Sequence, residues 1–268
     1  MTAIYAYGDS YIDKHFSPFY GWIELLAKKM YSPMINRGVS GGSTEYAMLK
    51  FINDIPSYDS GDIVIVGLST PGRLHFQYQN NFNPKTASKY WHEVDKSDSD
   101  YLWYNENKEH IKWYIQNFDN NVNAMNHNCY IHSIRNFAET RPDVTVVLVQ
   151  NRHYYNFIKR PEKKIDNFLM IPIDLYQISS NEFVDPHTYN DWIVKTKYDA
   201  RVNHLSIPNL NRMVDLMIES FETKRTDNFT YDKFLQNIFT PIVTRDDYFR
   251  YVNDGLIYDR TIEPEFNL

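Results

Sequence analysis

The segment Ala3-Ile4-Tyr5-Ala6-Tyr7-Gly8-Asp9-Ser10 decides how the chain is read. A short apolar run breaks into a glycine-containing turn with a hydroxyl at its tip. In an α/β fold this is how a strand end presents a nucleophile, because ligands bind outside the carboxyl ends of parallel strands. The tripeptide Gly8-Asp9-Ser10 is short enough to arise by chance, so its meaning depends on what surrounds it.

Four further apolar runs, residues 33–36, 62–68, 143–150 and 168–173, read as buried strands. Helical patterns lie between them. One opens with Trp22-Ile23-Glu24-Leu25-Leu26-Ala27, and a second covers residues 45–52 with an acidic residue in its opening turn, where the helix dipole favours it. In the last and clearest, Leu210, Met213, Val214, Met217, Ile218 and Phe221 recur at three- and four-residue intervals, with Ser206 as N-cap and Pro208 in the first turn. Strands alternating with helices predict an α/β three-layer sandwich of about five mostly parallel strands.

Two stretches exceed that minimal plan. Residues 75–125 are polar and rich in Asn, Tyr, Trp and Asp; they read as a surface excursion that turns into the helix preceding the fourth strand. Residues 224–268 are aromatic and charged without a clear helix or strand pattern, and read as an extension that wraps the 1–223 domain or docks a protein partner.

The chain has 268 residues, 43% hydrophobic and 23% charged, as an ordinary globular protein does. A formal net charge of −6 argues against general nucleic-acid binding, which needs a basic face. No apolar run is long enough to span a bilayer, and no leader pattern precedes the first strand, so a soluble protein, cytoplasmic at synthesis, is expected. The single cysteine, Cys129, excludes an internal disulfide and a cysteine-based zinc site; it is expected to be a buried small residue in a helix. His127 and His132, five apart, do not share a helix face, so no metal pair is expected there, and no cofactor is implied.

The segments after the strands sample the candidate site. Asn36-Arg37-Gly38-Val39-Ser40-Gly41-Gly42-Ser43-Thr44 is a Gly/Ser loop opening a helix, whose backbone N–H groups could converge on an anion or oxyanion. It lacks the lysine of a nucleotide-binding P-loop. Gly67-Leu68-Ser69-Thr70-Pro71-Gly72-Arg73 offers hydroxyls and a cation. Asp199-Ala200-Arg201-Val202-Asn203-His204 puts a histidine just ahead of the last helix, where it can act as a general base. His187, in Asp185-Pro186-His187, is a rival base without a following helix.

In order and spacing these segments resemble the GDSL/SGNH hydrolase family over roughly residues 4–221. The resemblance rests on Gly8-Asp9-Ser10, on the Asn36 to Gly41 loop, on the turn after the third strand, on the His204 segment and on the Trp22 helix. It implies a flavodoxin-like sandwich and an esterase in which Ser10 is the nucleophile and His204 its base. The backbone N–H groups of Ser10 and Gly41 would hold the oxyanion. The family's third block carries GxND; here it reads Gly67-Leu68-Ser69-Thr70, so Ser69 or Thr70 replaces the Asn donor. The family's DxxH aspartate is replaced by Arg201, leaving Asp199, Asn203, Asp174 or a backbone carbonyl to orient the imidazole.

Two functions follow. One is a carboxylic ester hydrolase acting on a small-molecule or carbohydrate ester such as an O-acetyl group. The other is a module that keeps the fold without turnover, similar to SGNH-like proteins of tailed phages, where it would sit in the virion.

Overall fold

The computed structural model describes residues 2–9, 11–13, 21–39, 42–69, 73–78, 81–86, 120–150, 164–175, 178, 205 and 207–234. Five strands, β1 (Ile4–Tyr7), β2 (Met34–Asn36), β3 (Ile63–Leu68), β6 (Thr145–Gln150) and β7 (Phe168–Asp174), form one all-parallel sheet in the order β2-β1-β3-β6-β7. This is the flavodoxin-like order, and the chain reverses its direction of travel across the sheet between β1 and β3. The β-branched run Ile63-Val64-Ile65-Val66 makes β3 the centre, and all six of its residues are buried because helices cover both faces.

On one face lie α1 (Trp22–Lys29) and α4 (Ile207–Thr223). Trp22, Ile23, Leu25 and Leu26 meet Met213, Val214 and Met217 over Ile4, Ala6, Ile65, Val147 and Ile171. Each such side chain contributes roughly 1.5–3 kcal/mol when fully buried. The stripe read from sequence is therefore the core face of α4. Glu24 in the first turn of α1 and Lys28 and Lys29 in its last turn match the helix dipole.

The opposite face holds α2 (Thr44–Asp54) and α3 (Asn120–Thr140). Ala47, Met48, Phe51, Ile131, Ile134 and Phe137 pack on Tyr7, Val64, Val66, Leu68 and Leu148. This layer absorbs part of the tyrosine excess: Tyr7 OH donates to Asp54 Oδ2 at 2.9 Å, and Tyr58 OH lies 2.8 Å from the Tyr7 oxygen. The Ser43 hydroxyl caps α2, accepting from the Tyr46 N–H at 3.2 Å.

Two expectations change. The polar stretch after β3 is not all excursion: β4 (Arg73–Tyr78) and β5 (Asn81–Thr86) pair antiparallel as a separate two-stranded ribbon. Leu74, Phe76 and Tyr78 alternate with polar residues, which is a strand period, and Pro84 is tolerated because both strands of a ribbon are edges. Cys129 is exposed rather than buried, because the inward face of α3 is set by Ile131, Ile134 and Ala138. After α4 the chain returns to the core. Phe229 and Phe234 are buried, and Tyr231, in a single 3₁₀ turn (Tyr231–Lys233), receives the Asp174 N–H on its hydroxyl oxygen at 3.0 Å.

Candidate active site

The strand order reverses between β1 and β3, the place where open parallel sheets bind ligands, and Gly8-Asp9 and Ser69 are the residues that follow the carboxyl ends of these two strands. Both Asp9 and Ser69 are 1% exposed. Ser69 Oγ donates to Asp9 Oδ2 at 3.1 Å, linking the ends of β1 and β3. Asp9 Oδ1 accepts from the Tyr11 N–H at 3.1 Å, and its carbonyl accepts from the N–H groups of Ile12 and Asp13, both at 2.9 Å. An Asx turn flowing into one helical turn therefore follows β1.

The Gly/Ser loop after β2 lies on that turn. The Val39 N–H donates to Gly8 O at 3.0 Å, and Asn36 Nδ2 donates to Ile12 O at 2.6 Å. The Asn36 carboxamide also accepts from the Gly38 N–H at 2.8 Å. Side chains are excluded at two points. A Cβ on Gly38 would stand 2.8 Å from Asp13 N, and one on Gly42 would stand 2.7 Å from Val39 O and 3.1 Å from Gly8 O. These neighbours are backbone and cannot swing aside, so the two segments touch only because both positions are glycine.

Behind the turn, Thr44 Oγ1 donates to Ser69 O at 3.3 Å and stands 3.5 Å from His127 Nε2. His127 is buried on α3, and burial pushes its imidazole down to about 4, so it is neutral at physiological pH. In the sequence, His127 stands out only beside His132, as half of a pair too widely spaced to share a metal. His132 faces solvent on the other side of the helix, as a spacing of five dictates. The signal that identifies His127 as inward-facing is its register with Ile131, Ile134 and Ala138, all buried.

Of the residues proposed from sequence, Ser69 follows β3 at the reversal point, and its single hydroxyl proton is engaged by Asp9. Asp174 ends β7 and is buried. Ser10, Gly41, Thr70, His187, Asp199, Asn203 and His204 lie outside the described residues, as does the N-cap candidate Ser206. Their immediate neighbours are described. Tyr11 O accepts from Trp22 Nε1 at 2.9 Å, and Leu205 is buried in the same core cluster as Ile12, Leu175 and Ile178. Asn209 Nδ2 donates to Ile178 O at 2.8 Å, fastening the start of α4 to the segment after β7.

Among the described residues no group of three metal-ligating side chains comes together, and no helix is long and apolar enough to cross a membrane. No protein-family model matches the chain, and comparison with curated proteins finds no relative.

Proposed function

We propose that the chain is a serine hydrolase of the GDSL/SGNH type, cleaving an ester such as an O-acetyl group on a carbohydrate. Ser10 Oγ attacks the acyl carbon as His204 takes its proton. The N–H groups of Ser10 and Gly41 stabilise the oxyanion. When the tetrahedral adduct collapses, the alcohol leaves with the proton from His204. Water, deprotonated by the same imidazole, then attacks the acyl group. The carboxylic acid departs and Ser10 Oγ recovers its proton. Arg201 cannot accept the imidazole Nδ1–H, so Asp199, Asp174 or a backbone carbonyl orients His204.

The observation that carries this reading is the packing of Asn36, Gly38, Val39 and Gly42 on Gly8, Asp9, Ile12 and Asp13 at the reversal point of the sheet. A Cβ on Gly42 would stand 3.1 Å from the Gly8 carbonyl oxygen and 3.5 Å from Asp9 Cα, so the residue after Gly41 lies beside the residue before Ser10. This proximity supports pairing Ser10 as nucleophile with Gly41 as an oxyanion donor.

One observation favours the second reading, a binding module without turnover such as a virion component. With its proton on Asp9, Ser69 does not replace the missing Asn donor. Losing such a donor costs roughly 10²–10³ in kcat. Treatment with a fluorophosphonate and assay with p-nitrophenyl acetate separate the two readings. The hydrolase labels at Ser10 and turns over, whereas the binding module does neither.

A further inference from the structure

The hydrogen bond between Ser69 and Asp9 joins residues 60 apart in sequence, both almost wholly buried, across the reversal point of the sheet. Ser69 is fixed at two atoms. Its carbonyl accepts from Thr44 Oγ1 at the start of α2, and its hydroxyl donates to Asp9 Oδ2. Asp9 is likewise fixed at both carboxylate oxygens, since Oδ1 accepts from the Tyr11 N–H. That second bond spans Ser10, because the acceptor belongs to the residue before it and the donor to the residue after it. The residues on either side of Ser10 in sequence are thus tied together by a carboxylate whose other oxygen is held by Ser69.

We infer that Ser69 serves the proposed reaction as a positioning residue, acting through the Asp9 carboxylate and not on the substrate. This rests on the hydrolase reading above. The family pattern suggests the opposite role, an oxyanion donor standing in for the Asn of GxND. The two roles make different demands on one proton. A serine hydroxyl has a single hydrogen, and a donor to Asp9 Oδ2 cannot also donate to a tetrahedral intermediate. Without that donor a buried carboxylate oxygen loses a partner, and the turn relaxes toward whatever else satisfies it.

A double-mutant cycle on the full chain separates the roles. The readouts are the fluorophosphonate labelling rate of Ser10 and the p-nitrophenyl acetate kinetics, with thermal melts to check folding. Ser69→Ala is expected to lower the labelling rate and kcat by about tenfold, with KM within about twofold, and Ser69→Thr, which keeps the hydroxyl, to stay within about threefold of the parent. In an Asp9→Asn background, Ser69→Ala should add less than about twofold, because the path it acts through is already altered. An unaffected Ser69→Ala protein overturns the inference. So does a full tenfold loss repeated in the Asp9→Asn background, which is the mark of direct action. A structure of the phosphonylated protein decides the same point should Asp9→Asn not fold: Ser69 Oγ remains on Asp9 Oδ2, or it has moved to the phosphonyl oxygen and the inference fails. A wild type that neither labels nor turns over removes the hydrolase reading and this inference together, whereas an active wild type with an indifferent Ser69 removes the inference alone.

Discussion

The two edges of the sheet use polar side chains in opposite ways. At the amino edge they bind backbone and close turns. Asp62 accepts from the N–H groups of Ala3 and Asp59, each at 2.8 Å, and Asn167 Nδ2 lies 2.8–2.9 Å from the carbonyls of Ala138, Arg141 and Val144. Arg141 adds a two-pronged contact to Asp143 in solvent. At the carboxyl edge the polar side chains Asp9, Ser69, Thr44 and His127 are buried and linked in a chain, and glycines let one loop touch another. The first arrangement holds strands in register; the second positions a turn. A buried polar chain is justified by what it orients, because apolar packing would serve stability at least as well.

Substitutions can break that contrast. The largest effect is expected from Gly42→Val, which places a branched side chain against the carbonyls of Val39 and Gly8. Ester turnover should fall by roughly 10²-fold or more as the loop leaves the turn. A valine variant with parental kinetics would show that the contact is incidental.

His127 links the carboxyl edge to acid stability. Burial holds its imidazole near 4, below the ordinary 6.5. Above the ordinary value neither folded nor unfolded chain holds the proton. Between 6.5 and 4 the unfolded chain takes it up and the folded chain does not, so stability declines as pH falls, by up to about 3 kcal/mol. Denaturant titrations of the parent and His127→Gln at several pH values test this. The parent should lose stability with acid more steeply than the variant across that window, and parallel curves would place His127 in water.

Asn167→Ala sharpens the contrast from the other edge. It removes the two N–H donors that the carbonyls of Ala138, Arg141 and Val144 share and should cost about 1–3 kcal/mol of stability. Because these groups close turns at the far end of the strands, esterase kcat/KM should stay within about twofold below the melting transition. A large kinetic loss without unfolding would mean that the amino edge also shapes the site.

The sheet was legible because buried parallel strands are near-continuous β-branched runs, as Ile63-Val64-Ile65-Val66 illustrates, and α4 because its stripe keeps the helical period. The residues that follow β1 and β3 were legible as strand-end loops. The β4–β5 ribbon was not, since its alternation is short and its second strand contains Asn81, Asn83 and Pro84. Nor was the pairing of Ser69 with Asp9, since it depends on which strands become neighbours rather than on local pattern. His127 was obscured by the polar opening of α3, Asn120 to Asn126, although its register with Ile131 carried the information.

The proposed hydrolase depends on Ser10 acting as the nucleophile after β1. The most direct measurement is p-nitrophenyl acetate hydrolysis by the wild type and by Ser10→Ala, read alongside mass-spectrometric mapping of fluorophosphonate adducts. Adduct on Ser10 is expected in the wild type, and turnover lowered by roughly 10³-fold or more in the variant. Equal hydrolysis by the two proteins, or no adduct on Ser10, would contradict it.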